Sequence, residues 1–191
     1  MQANWSPLTS IEARAPRELL SWLAEPGLLT ARVRALCGPG MQFRMLGPLR
    51  DAQLSGSLQE RLGVEDDRCL LREVEFCCGD RRVVFAQTVL PGSTVARFPW
   101  LHELGDAPIG ETLRQSAEPL EREPLEYAAL DACHVLVSSA LGAAASDPTG
   151  TLWARRAVYR LGGLPILVQE VFLPALLQVQ AAAGASRESK Q

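Results

Sequence analysis

Residues 70–91 read LLREVEFCCGDRRVVFAQTVLP, and this stretch decides the fold. Two alternating runs flank Gly79-Asp80, a turn pair, and Pro91 closes the second run, so the spacing predicts a β-hairpin. Strand side chains alternate between faces. Leu70, Arg72, Val74 and Phe76 therefore share one side, and Leu71, Glu73, Glu75 and Cys77 the other. An arginine points with the hydrophobes. PILVQEVFLP (165–174) repeats the anomaly with opposite sign, because Glu170 falls on the side of Ile166, Val168 and Phe172.

Outward from these strands, WARRAVYRLGGLPILVQEVFLP forms a second hairpin that turns at Gly162-Gly163, and MQFRML (41–46) alternates as a further strand. Helical spacing marks APRELLSWLAEPG, with Pro16 at a first-turn position and a Leu19, Leu20, Leu23 stripe. It marks LLTARVRALCG as well, through Leu28, Leu29, Val33 and Leu36 up to Gly38, and Pro108 opens another helix. Residues 47–67 read as a polar stretch. LEREPLEYAAL fits strand or helix equally, and the Gly/Ala-rich segment 139–150 reads as a surface excursion. The last residues read as a short helix and polar tail. Consecutive hairpins with helices gathered around them predict an α+β fold: one domain over 1–191, core 15–175, with a twisted antiparallel sheet covered by helices on one face.

Composition bounds the function. A net charge of -3 and a pI near 5.5 give no attraction to phosphate backbones, so nucleic acid is not expected as a partner. No stretch suits a signal peptide or membrane span, which makes a cytoplasmic protein without membrane insertion the expectation. The 5 cysteines show no C-x-x-C spacing, so free thiols are expected rather than a disulfide framework or zinc site. The absence of a heptad pattern points to a monomer.

Two accounts fit the embedded charges. Arg72 and Glu170 form a buried ion pair or reach water, or they line a cavity in which a ligand compensates both, since a charge in an apolar wall is costly alone. In the second account the arginine's planar fork suits a carboxylate, and the glutamate accepts from a hydroxyl or handles a proton. Arg155 shares a face with Trp153, Ala157, Tyr159 and Leu161, so it too either points inward or curls to solvent by its long stem. Two inward arginines and a glutamate suit a small dicarboxylate better than a phosphate, for which no P-loop exists.

LREVEF, FAQTVLPGST, LGDAPIGETL and WARRAVYRLGGLPILVQEVFLP, in that order over residues 15–175, resemble the chorismate pyruvate-lyase family. The resemblance implies an internal ligand cavity in a twisted antiparallel sheet, and a cofactor-independent lyase that releases pyruvate from chorismate to give 4-hydroxybenzoate, the first committed step of ubiquinone synthesis. It implies that Arg72 holds the ring carboxylate, that Glu170 meets the 4-hydroxyl, and that Leu29 and Ile109 supply backbone and wall contacts. Leu29 stands where methionine occurs in the family, and segment 139–150 and the tail past Pro174 have no counterpart in shorter members. Arg155 is a candidate for the enolpyruvyl carboxylate. The alternative reading is a non-catalytic sensor of aromatic acids, related to the effector domains of bacterial transcription regulators. Such a regulator carries a DNA-binding domain, and only about fourteen residues precede the first helix here, which favours the enzyme.

Overall fold

A computed structural model describes residues 3–142 and 150–188. The two predicted hairpins form its centre: β3 (Arg68–Cys78) with β4 (Arg81–Pro91), and β7 (Leu152–Leu161) with β8 (Leu164–Phe172). Gly79 (φ 58°), Gly162 (φ 53°) and Gly163 (φ 84°) take the left-handed backbone their turns demand. β4 pairs with β8 and joins the hairpins. With β1 (Met41–Met45), β2 (Arg50–Gln53), β5 (Leu120–Arg122) and β6 (Glu126–Leu130), they make an antiparallel sheet of 8 strands. Its order is β1-β3-β4-β8-β7-β5, with β2 beside β3 and β6 beside β7.

The helices are α1 (Arg17–Leu23), α2 (Leu29–Cys37), α3 (Gly56–Leu62), α4 (Gly92–Arg97), α5 (Ile109–Gln115), α6 (Val135–Leu141) and α7 (Ala175–Glu188). Five of them cover the face that carries Arg72 and Glu170. Leu19, Trp22, Leu29, Val33 and Leu176 pack there on Val74, Phe76 and Phe172, while Val95, Ile109 and Leu113 pack on Leu90 and Ile166. The α+β class and antiparallel sheet are as expected, but helices also reach the second face. There α6 sits on Phe85, Ala154 and Val171, and α3 sits on Val89, Val158 and Leu167. Both faces of β4 and β8 are thereby apolar in long part, which is why β4 reads as an almost continuous hydrophobic run.

The polar stretch 47–67 contains β2 and α3. The signals for α3 are local: Ser55 caps it by accepting from the Leu58 amide, and Gly63 ends it at φ 70°. LEREPLEYAAL resolves into β5 and β6, both bound to β7. The excursion at 139–150 begins as the end of α6, and residues 143–149 lie outside the described residues.

The expectation of free thiols fails at one pair. Cys37 and Cys78 form a disulfide with Cα atoms 5.2 Å apart, whereas Cys69, Cys77 and Cys133 are free. Spacing could not show it, because the pair meets only after α2 turns through Gly38–Gly40 into β1, whose Met41 pairs with Cys78. Among the described residues no helix is long and apolar enough to cross a membrane.

Candidate active site

A small cavity lies between the helix-covered face of the central strands and helices α2 and α5. Arg72, Glu170, Arg155, Leu29 and Ile109, five residues singled out in the sequence, all line it. Its free volume is about 40 Å³, far below the ~300–1,000 Å³ of an open small-molecule pocket.

Arg72 stands in the middle of β3, 1% exposed, directly across from Thr88. Its Nη2 donates to the carbonyls of Gly105 (2.8 Å) and Ala107 (2.7 Å), in the loop that leads into α5. Nε and Nη1 have no hydrogen-bond partner among the described residues, the guanidinium stands 5.5 Å from the centre of the Phe43 ring, and no carboxylate forms a salt bridge with it there. A guanidinium has five N–H donors, so a deeply buried cation is left with donors unmet. Burial pushes its pKa down, and Asp106 opposes the shift. An unmet buried donor is a substantial penalty that an anion removes.

Glu170 occupies the same face two strands away, roughly 10 Å along the hydrogen-bonding direction, beyond Ala86 of β4. Its partner is Arg155, directly opposite on β7, whose Nε lies 2.5 Å from Oε2. The buried ion pair considered for Arg72 and Glu170 is thus Arg155 with Glu170. Arg155 Nη1 also donates to the carbonyls of Trp22, Leu23 and Glu25, at 3.4, 3.3 and 2.7 Å. These lie at the end of α1, where helix carbonyls lack intrahelical partners. One arginine therefore orients the glutamate and fixes the chain segment that leads to Leu29.

Leu29 opens α2 and Ile109 opens α5, both buried against the cavity. Gly110 follows Ile109 so closely packed that an added Cβ would lie 2.7 Å from Leu28 Cδ2. Sequence reasoning missed Thr88 and Phe43 as lining residues, and Tyr159 as more than an in-phase neighbour. Alternation marks Tyr159, which is in phase with Arg155, whereas Thr88 and Phe43 come through register, Thr88 pairing with Arg72 and Phe43 with Phe76 across neighbouring strands. Burial raises the Tyr159 pKa, and the charge of Glu170 adds to it, so its phenol stays protonated beside the carboxylate.

Fold and site together define an α+β protein whose twisted antiparallel sheet holds, under covering helices, a cavity anchored by two arginines and a glutamate. Among solved structures, the effector domain of PhnF from Mycobacterium smegmatis shares this fold at TM-score 0.54 and 18% identity, covering 78% of this chain and 90% of that one. A GntR-family transcriptional regulator from Bacillus cereus does so at TM-score 0.55 and 10% identity, with 71% and 93% covered. By sequence the likeness is closer. A probable chorismate pyruvate-lyase of Azoarcus is 41% identical over 174 residues, covering 85% of this chain and 87% of the relative. One from Methylococcus capsulatus is 37% identical over 169 residues, with 85% and 99% covered. The chorismate lyase family matches residues 1–182, and the chain belongs to that family.

Proposed function

We propose that the protein eliminates pyruvate from chorismate to give 4-hydroxybenzoate, with Arg72 and Glu170 as the two anchors of the ring. The observation that carries this reading is the buried Arg72 guanidinium with unmet Nε and Nη1 donors, facing across an apolar floor to Glu170. Family membership and relatives named as probable chorismate pyruvate-lyases support it. The likeness to regulator effector domains, at 10–18% identity, concerns the fold alone and does not favour the sensor reading.

Chorismate carries a ring carboxylate, a C4 hydroxyl and an enolpyruvyl ether at C3. As the C3–O bond breaks, the C4–H electrons form the last ring double bond, and the proton ends on the methyl group of pyruvate. Aromatisation drives the step, so the protein supplies orientation and charge placement. Arg72 takes the ring carboxylate and Glu170 accepts from the C4 hydroxyl. Leu29 and Ile109 supply backbone and wall contacts to the ring. Arg155 is first a positioning residue, holding Glu170 and the end of α1. Its Nη2, with no hydrogen-bond partner among the described residues, is directed to the enolpyruvyl carboxylate in this scheme.

A free volume of about 40 Å³ is far below the ~300–1,000 Å³ of an open small-molecule pocket. Ligand entry therefore requires α2 or α5 to move outward, and product leaves by the same motion. A cytoplasmic monomer completes the reading.

The test is purified protein with chorismate in buffer containing a chelator, both products being followed by chromatography. Equal amounts of 4-hydroxybenzoate and pyruvate are expected, with both formed at a small fraction of the wild-type rate by Arg72→Ala and Glu170→Gln. Saturable binding of 4-hydroxybenzoate without turnover would move the assignment to a sensor.

A further inference from the structure

The opposite face of the sheet carries a second hollow, of about 440 Å³, within the ~300–1,000 Å³ range of small-molecule pockets. It lies between α3 and α6, with Leu58 and Leu136 as apolar walls and Trp5 as an aromatic one. Its floor belongs to a straight polar row across five strands. In register, Glu73 of β3 pairs with Gln87 of β4, Gln87 with Gln169 of β8, Gln169 with Arg156 of β7, and Arg156 with Glu126 of β6.

The hydrogen bonds along this row have a fixed direction. Glu73 as a carboxylate only accepts, so Gln87 gives it Nε2 (2.8 Å) and is left with Oε1, which accepts from Gln169 Nε2 (3.1 Å). Gln169 must therefore present Oε1 on its other side, towards Arg156. Among the described residues that oxygen has no hydrogen-bond partner, and it is not one of the buried unpaired atoms, so it faces the open hollow. Arg156 donates Nε to Glu126 (2.9 Å) and lies 4.4 Å above the Trp5 ring, and neither of its Nη atoms has a hydrogen-bond partner among the described residues. An acceptor and two cationic donors thus stand side by side on the floor of an aromatic-walled hollow. These groups border the open hollow, since the buried side-chain atoms left unpaired among the described residues belong to Arg72, and a row serving only to cover the sheet would be satisfied by apolar side chains, as the neighbouring Phe85 and Val171 are.

We infer that this hollow is a second small-molecule site, which takes a planar aromatic carboxylate bearing a hydroxyl or amino group. The carboxylate meets Arg156, the ring lies against Trp5, and the hydroxyl or amino hydrogen goes to Gln169 Oε1. The site backs directly onto the enclosed cavity, since Gln169 precedes Glu170 and Arg156 follows Arg155 on the same strands. The inference does not depend on the lyase reading.

The experiment uses the full chain carrying Arg72→Ala, which lacks the enclosed cavity's anchor. 4-Hydroxybenzoate and, separately, 4-aminobenzoate are titrated by calorimetry and tryptophan fluorescence. One saturable site with quenched fluorescence is expected for at least one of the two acids. Adding Trp5→Ala or Gln169→Leu should weaken binding at least tenfold with circular dichroism unchanged. No saturable binding of either acid overturns the second site. So does binding that neither added substitution weakens, an outcome that would instead place the residual affinity in the enclosed cavity and count against Arg72 as its anchor.

Discussion

Arg155 and Glu170 stand directly opposite each other on β7 and β8, Nε to Oε2 at 2.5 Å, and the same guanidinium closes the carbonyl end of α1. The carboxylate is thereby held by the sheet while the helix beside it is held by the carboxylate's partner. Glu170→Gln keeps the shape and removes the charge. Its kcat should fall by roughly 10²–10⁴-fold, the usual scale for a positioned acid–base group, with a smaller change in KM. Arg155→Met should instead act on the fold, because it leaves a half-buried carboxylate and three carbonyls without their donor. A loss of about 3–5 kcal/mol is expected, read from urea denaturation. Equal activity in wild type and Glu170→Gln would remove the glutamate from the chemistry.

Arg72 separates charge from geometry. Arg72→Ala should weaken 4-hydroxybenzoate binding by about 2–5 kcal/mol, the cost of truncating one member of a buried charge pair. Arg72→Lys should recover little of it, since an ammonium on a flexible stem cannot both serve the Gly105 and Ala107 carbonyls and reach the ligand. Calorimetric titration of the three proteins decides this. Full recovery by lysine would mean that only charge matters.

Much of the site was legible because strand alternation is rigid. A period of two puts Arg72, Glu170 and Arg155 each in phase with the apolar side chains of its own strand, and the structure puts all three on one cavity. Alternation could not say which charges touch. That depends on register between strands distant in sequence, and it is register that pairs Arg155 with Glu170 and leaves Arg72 to two loop carbonyls. The coverage of both faces escaped for a similar reason. α3 hides in a polar stretch because a seven-residue helix at the sheet's margin needs only Leu58 and Leu62 to dock. The roles of Leu29 and Ile109 came from the family resemblance, since no periodicity marks a backbone contact.

The Cys37–Cys78 bridge closes a separation of 41 residues between the end of α2 and the end of β3. On the loop-entropy account, a bridge of that span contributes about 4 kcal/mol. Thiol titration of unfolded protein should find three reactive groups without reductant and all 5 with it. Reduction, or Cys37→Ser with Cys78→Ser, should lower Tm by several degrees. Five free thiols in the oxidised protein would show that the pair does not bridge.

His134 gives the stability a pH signature. It caps α6, with Nδ1 accepting from the Leu136 amide at 3.2 Å, so the ring proton sits on Nε2. Burial lowers its pKa from 6.5, and the charge of Asp131 only partly opposes this. The unfolded chain, with an ordinary histidine, then binds more protons than the folded one between the two values. Stability contributed by His134 is complete above about pH 6.5 and is lost as the pH falls through the lowered folded value. Protonation also removes the capping acceptor, which couples the charge to the start of the helix. His134→Asn keeps an acceptor at the cap and cannot titrate. Its Tm should therefore fall less than that of wild type between about pH 7 and pH 5, while the carboxylates common to both proteins cancel in the difference. Parallel Tm curves for the two proteins would show that the imidazole is already protonated, or free to protonate, in the folded state, and that its nitrogen does not hold the helix.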